Sequence, residues 1–267
     1  MDLLQPLHYT QYELDTKLTE TKQAFYPCIL IIQARMGSTR LPGKVLLPVA
    51  GRPLLEHLVH RMRHVPHVDA LVVATTTNPL DDAIAAFCNQ HSLHCFRGSE
   101  EDVLARYYEA AKSFGAEVVV RITADCPLMD PGILTSAIAA FRQNYDDLDY
   151  FSNTLRRSFP RGLDIEMMRF SILEKAFFEA NTSYSREHVT PFVIHNAHQF
   201  RLGNFFSRRD LSKLRLTVDT KEDFTLIQNI ITALLPEKPD FTLDDIVALL
   251  EKHPEWKGIN AHVRQKT

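Results

Sequence analysis

Residues 31–58 read IIQARMGSTRLPGKVLLPVAGRPLLEHL, an apolar strand running into a loop rich in glycine and cations and then into a helix. The loop holds Gly37, Ser38, Arg40, Pro42, Gly43 and Lys44 directly after the strand, and Pro53 stands at a favoured helix start. Glycine and serine let backbone N–H groups face an anion, while Arg35, Arg40 and Lys44 supply positive charge. Arginine presents a planar fork to phosphate oxygens, and lysine a mobile point charge. Each such charge-assisted bond contributes ~1.5–3 kcal/mol. The stretch therefore predicts a strand–loop–helix phosphate site in an α/β fold. Two familiar phosphate loops do not fit it. Five residues separate Gly37 from Gly43 and Val45 follows Lys44, which excludes G-x-x-x-x-G-K-[ST], and the dinucleotide pattern G-x-G-x-x-G is absent.

Outward from this stretch, strands and helices alternate. CILIIQ (28–33), ALVVATT (70–76), LHCFRG (93–98) and EVVVRITAD (117–125) read as strands. PLLEHLVHRM (53–62), LDDAIAAFCNQH (80–91), SEEDVLARYYEAAKSF (99–114) and DPGILTSAIAAFRQN (130–144) read as helices between and after them. That alternation predicts right-handed βαβ units and a largely parallel sheet, with ligands beyond the carboxyl ends of the strands. The loops after Gln33, Ala74, Phe96 and Thr123 then share one rim. Past about residue 146 the order changes: LDYFSN, GLDIEMM, QFRLGNF and LRLTVD read as strands, and FSILEKAFFEA, SREHVTPFVIHN, KEDFTLIQNIITALL and TLDDIVALLEKH as helices. No Gly/Ser linker divides the chain. The expectation is one domain over 27–267, with a nucleotide-binding half at 27–145 and an acceptor-binding half at 146–267, behind a polar extension at 1–26.

The chain has 267 residues, 45% of them apolar, which suffices for a core. A formal charge of −3 gives no general attraction to nucleic acid or anionic membrane, so an anion site has to be a local cationic patch. Apolar runs fall short of the ~20 residues of a membrane span, and acidic residues break up any signal-peptide layout at the N-terminus. Cys28, Cys88, Cys95 and Cys126 lack C-x-x-C spacing and read as reduced core residues of a cytoplasmic protein, not as a zinc site.

QARMGSTRLPGKVL resembles the signature of the acylneuraminate/KDO cytidylyltransferase family, which activates acidic sugars, and is most similar to its SpsF-like branch, named for spore-coat polysaccharide synthesis. The likeness continues in order through VATTTNPLDD, FRGSEEDVLARYYEAA, VVRITADCPLMDP, DYFSN, PRGLDIEMM, SREHVTPF and LTVDTKEDF, from residue 29 to about 235. The resemblance implies a Rossmann-like nucleotide-diphospho-sugar transferase fold, a mostly parallel mixed sheet flanked by helices. It implies transfer of CMP from CTP to an acceptor with release of pyrophosphate, a Mg2+ cofactor and a homodimer. CTP would lie along 34–44, from Ala34 through Arg35, Gly37 and Ser38, with Arg40 and Lys44 on its phosphates. Thr75, Arg97 and Gly98 would face the base. The family often carries an acidic residue where this chain reads TTTNP, which leaves the choice of base open.

Charge builds on oxygen when the α-phosphorus is displaced, and a divalent ion held by one or two carboxylates is the usual way to hold it. Asp125 and Asp219 both stand where a strand should end, and the resemblance makes them the metal positions. Asp219 also fits a capping box with Glu222. Asp130, before Pro131, reads as a helix N-cap. Asp147 and Asp149 form a D-x-D that reads as a turn before a strand. Ser99 with Asp102 fits a capping box, and Ser185 a cap. His57, His60, His64 and His67 recur at helical steps and read as a solvated face.

On the acceptor side, Arg161, Asp164 and Glu166 surround a strand on which Asp164 and Glu166 share a face; hydroxyl recognition and plain exposure both explain them. Glu187 and His188 open a helix, where Glu187 also complements the helix dipole. The acceptor would be a sugar, a sugar acid or a phosphonate. Two other readings stay open: a glycosyltransferase of the same fold, which would need Asp147 and Asp149, and a nucleotide-binding subunit without turnover.

Overall fold

Cys28, Leu30 and Ile32 pack into one apolar cluster and Ile29 and Ile31 into another, all at or below 2% exposure, so this strand is covered on both faces. Such two-sided burial is what a near-continuous aliphatic run predicts for a central strand. The structure is a computed structural model and describes residues 7–14 and 26–265. In chain order it contains β1 (Thr10–Glu13), β2 (Cys28–Gln33), β3 (Pro48–Val49), β4 (Arg52–Pro53), α1 (Leu54–Met62), β5 (Ala70–Thr76), α2 (Asp82–Gln90), β6 (His94–Gly98), α3 (Val103–Ser113), β7 (Val118–Thr123) and α4 (Pro131–Gln143). There follow β8 (Tyr150–Ser152), β9 (Glu166–Arg169), α5 (Phe170–Glu179), α6 (Ser183–His188), α7 (Pro191–His195), β10 (Leu202–Phe206), α8 (Lys221–Leu234) and α9 (Leu243–Lys252).

Eight strands form one sheet in the order β1-β10-β8-β9-β7-β2-β5-β6. All neighbours are parallel except β9, which runs against both β7 and β8. The chain moves outward from β2 to β5 and β6, then returns to β7 on the other side of β2. This reversal opens a crevice beyond the carboxyl end of β2, where the glycine- and cation-rich loop begins. Helices α1, α4, α8 and α9 contribute to the cluster on one face, and α3, α5 and α7 to that on the other.

Three expectations fail locally. Part of the 1–26 extension, Thr10–Glu13, is an edge strand paired with β10, while the rest of that segment lies mostly outside the described residues. LRLTVD is extended but joins no strand. Its hydrogen bonds go first to Arg161, which accepts from the Leu216 N–H at 2.7 Å, and then to the Asp125 carbonyl, which accepts from Val218 at 2.8 Å. Two unrelated partners give no ladder. They also explain Gly162: a Cβ there would stand 2.4 Å from the Leu216 carbonyl carbon, and its φ is 99°. Finally, SREHVTPFVIHN is two helices, broken at Val189 (φ 72°) before Pro191.

Candidate active site

Lys44 is the pivot of the crevice. Gly43, at φ 69°, turns the chain so that the short 3-10 turn Lys44–Leu46 can begin, and the Met36 carbonyl accepts hydrogen bonds from both Ser38 and Gly43. The Met36 N–H in turn donates to Asp81 at 2.7 Å, and Asp81 also accepts from the Thr76 N–H. The loop is thereby tied to the end of β5. Among the described residues the N–H groups of Gly37, Thr39 and Arg40 donate no hydrogen bond, so the loop keeps donors for a ligand.

The Lys44 ammonium is 8% exposed as a residue and donates three hydrogen bonds. They run to Asp125 Oδ2 at 2.7 Å, Asp219 Oδ1 at 2.8 Å and the Val218 carbonyl at 2.7 Å. Thr123 donates to the other Asp125 oxygen at 2.6 Å. Asp219 Oδ2 faces Arg40 at 3.0 Å and Arg215 at 2.7 Å, and Arg215 is clamped in turn by buried Asp223. Burial would raise the Asp219 carboxyl pKa, but Lys44, Arg40 and Arg215 outweigh it and hold the group below the ordinary carboxylate value. For Lys44 burial would lower the pKa, and the two carboxylates reverse that and raise it.

Around this cluster lies a cleft of about 440 Å³. Gln33, Thr123, Ala124 and Asp125 line it at the strand ends, Arg35, Ser38, Thr39, Arg40 and Lys44 along the loop, and Tyr184, Glu187 and His188 on α6. Asp219 and Gln265 also line it. Two segments far apart in sequence thus bring their carboxylates to one point. Asp125 and Asp219 both reach it, although Asp219 ends no strand. The cap that competed for Asp219 belongs to its neighbours: Thr220 and Asp223 form the capping box of α8.

Other predicted residues lie elsewhere. Ala34 and Thr75 are buried beside the loop, and Gly37 is on its outer surface. Arg97 donates to the Thr76 carbonyl at 2.8 Å and pairs with Asp82, and Gly98 packs on Arg106, so neither lines the cleft. Glu166 is buried and bonded by Arg121, by the Tyr150 hydroxyl at 2.8 Å and by the Thr190 hydroxyl at 2.6 Å, and it does not line the cleft. Asp164 is paired with Arg157, and Arg161 opens into a separate cavity. Asp130 is the N-cap of α4 as read from sequence. Asp102, not Ser99, caps α3, and Thr182, not Ser185, caps α6. Asp149 is paired with Arg201 at 2.7 Å, Asp147 lies in a 3-10 turn, and neither lines the cleft. His57 is buried against the Val49 carbonyl at 2.9 Å rather than solvated.

Sequence reasoning missed Gln33, Thr123, Tyr184, Arg215 and Gln265. Arg215 had a signal in R-x-x-x-D, four residues before Asp219, a spacing that pairs side chains only where the chain turns.

The cytidylyltransferase family profile matches residues 29–262. The spore coat polysaccharide biosynthesis protein SpsF of Bacillus subtilis is 35% identical over 234 residues, 85% of this chain and 95% of that protein. A 3-deoxy-manno-octulosonate cytidylyltransferase of Geobacter sulfurreducens is 34% identical over 114 residues, 43% of this chain and 45% of its own. The solved structure of a cytidylyltransferase from Leptospira borgpetersenii superposes with a TM-score of 0.84 at 34% identity, covering 91% of this chain and 100% of that one. The cleft, the fold and these likenesses agree, and the chain belongs to the cytidylyltransferase family, enzymes that use CTP as nucleotidyl donor.

Proposed function

We propose that the chain transfers CMP from CTP to a hydroxyl of a sugar or sugar-acid acceptor and releases pyrophosphate, as a step in making a surface-glycan precursor. The observation that carries this reading is the convergence of Asp125 and Asp219 on the Lys44 ammonium, at the mouth of the crevice and beside free loop N–H groups. The donor set suits a divalent ion such as magnesium. Two carboxylates, Asp125 and Asp219, supply hard oxygens at one point. That is the pattern of an ion that keeps waters and phosphate oxygens in its shell. When bound, the ion would neutralise charge on the triphosphate.

The protein's own groups do the rest. Arg35, Arg40 and the loop N–H groups grip the triphosphate, and Lys44 meets charge developing on the departing pyrophosphate. Thr75, Arg97 and Gly98 stand at the ends of β5 and β6 outside the cleft lining and touch the base only through the residues they hold in place. Tyr184, Glu187 and His188 present a polar wall to the acceptor, so that its hydroxyl oxygen is held in line with the α-phosphorus. The O–P bond to the acceptor forms as the bond to pyrophosphate breaks, without a covalent enzyme intermediate. This reading includes a homodimer, for which exposed Phe178 on α5 is a candidate contact.

Titration calorimetry with each of the four nucleoside triphosphates in magnesium tests the donor site. CTP should bind at least tenfold tighter than the others, and Arg40→Gln should weaken it at least tenfold. Equal binding of all four, or no effect of the substitution, would contradict the assignment.

A further inference from the structure

A second cavity, of about 180 Å³, lies behind the active cleft. Its floor is apolar, formed by Leu216, Leu226 and Leu250, and its walls carry Arg161, Lys213, Arg215 and Lys257 without any carboxylate. The volume is several times the ~30 Å³ share of one water molecule. Arg215 spends its charge on Asp219 and Asp223. The other three cations form no ion pair, and their side chains donate no hydrogen bond, among the described residues. Ser212, Asn260 and Gln265 add polar groups. Positive charge is therefore concentrated around a concave space that no carboxylate lines, with Arg161 half-buried in its wall and Lys213 and Lys257 exposed at its edge. Burial first, and then the like charges of Arg157 and Arg215, lower the Arg161 pKa from the ordinary guanidinium value, although Asp164 opposes them. A ligand that relieves this arrangement is an oxyanion, which arginine and lysine recognise by charge-assisted hydrogen bonds.

We propose that this cavity is a second anion site, distinct from the triphosphate cleft, that takes a phosphate group, either as the free ion or on a small ester. Arg215 and Gln265 form the partition between the two: Gln265 lines both cavities and accepts from Arg215 at 2.8 Å, and Arg215 holds Asp219 at 2.7 Å. An anion bound behind Arg215 competes with Asp219 for its guanidinium, so filling the site changes the cluster around Lys44.

The test is calorimetric titration of inorganic phosphate, and separately of glycerol phosphate, into protein already saturated with CTP and magnesium. The expected result is one further phosphate bound. Its affinity should fall at least tenfold in Arg161→Gln and in Lys213→Gln, stay unchanged in Lys112→Gln, whose exposed cation stands on α3 outside both cavities, and weaken as salt is raised. Stronger binding of the ester than of the free ion would identify a sugar or polyol phosphate as the source, and the reverse would identify the free ion. Phosphate that CTP displaces one for one, or that binds Arg161→Gln and Lys213→Gln as tightly as wild type, would overturn the second site. Failure of CTP itself to bind, with phosphate still bound through Arg161 and Lys213, would count against the CTP cleft alone.

Discussion

Replacing Lys44 with methionine separates two roles for its ammonium. The side chain keeps its stem but loses the ammonium, and with it the charge that joins Asp125 and Asp219. Those carboxylates each lie within hydrogen-bond distance of one nitrogen, so their facing oxygens are no farther apart than about 5.5 Å, the sum of the 2.7 and 2.8 Å contacts. At that separation two negative charges repel by about 3 kcal/mol in a medium of effective dielectric constant ~20. Arg40 and Arg215 remain on Asp219 and soften the loss, while the stranded carboxylates face the unpaired-charge penalty of a broken buried pair, ~3–5 kcal/mol. A destabilisation of about 3 kcal/mol follows, which for a chain of this length lowers Tm by roughly 6–12 °C. A divalent cation is the natural replacement for the missing charge. Thermal unfolding with increasing manganese or magnesium, without nucleotide, should therefore raise the Tm of Lys44→Met by several degrees more than that of wild type, whose ammonium competes for the same point. Equal metal responses in the two proteins, or a variant as stable as wild type without metal, would refute the claim that Lys44 holds together two carboxylates that can take a cation.

Glu166 is buried and tied to Arg121, Tyr150 and Thr190, so Glu166→Gln should cost about 3–5 kcal/mol of stability in denaturant unfolding. It should leave CTP affinity within a few-fold of wild type, unlike a residue that touches the nucleotide. Asp219 has a lower pKa in the folded chain than in the unfolded one, so its stabilisation is complete above the unfolded carboxylate value of ~3.9 and disappears as pH falls through the folded pKa. The stability gap between wild type and Asp219→Asn, read by urea unfolding from pH 7 to 3, should shrink below about pH 4; a gap that widens there contradicts the pairing. The neighbouring Cys88 thiol, and after it Arg97, lower the pKa of the exposed Cys95 thiol to about 7 against burial. Iodoacetamide should modify it with a midpoint near that pH, and Cys88→Ala should move the midpoint toward an ordinary thiol.

The repeating βα half of the chain was legible because each strand there is a run of aliphatic residues ended by polar ones. CILIIQ and ALVVATT fall at the boundaries of β2 and β5. The active-site loop was legible for a similar reason, since its charges and turn residues are consecutive. What sequence alone obscured lies in the second half, where residues are set by partners far along the chain. Leu216 and Val218 look like a strand because they are buried, yet their hydrogen bonds run to Arg161 and Asp125. Alternation placed Asp164 and Glu166 on one polar face, and only the fold reveals that Arg121 and Tyr150 already occupy Glu166. Tyr184 and Gln265 carry no local sign of standing across the cleft from Lys44.

The most direct test of the central claim, that CTP is cleaved at the Lys44, Asp125 and Asp219 cluster, is pyrophosphate release from each nucleoside triphosphate with magnesium across a panel of sugar acids and phosphonates, with Asp125→Asn run beside wild type. The account predicts release that requires CTP and one class of acceptor and falls at least 100-fold in Asp125→Asn. Release that proceeds equally with ATP, GTP or UTP, or that survives the loss of the Asp125 carboxylate, would contradict it.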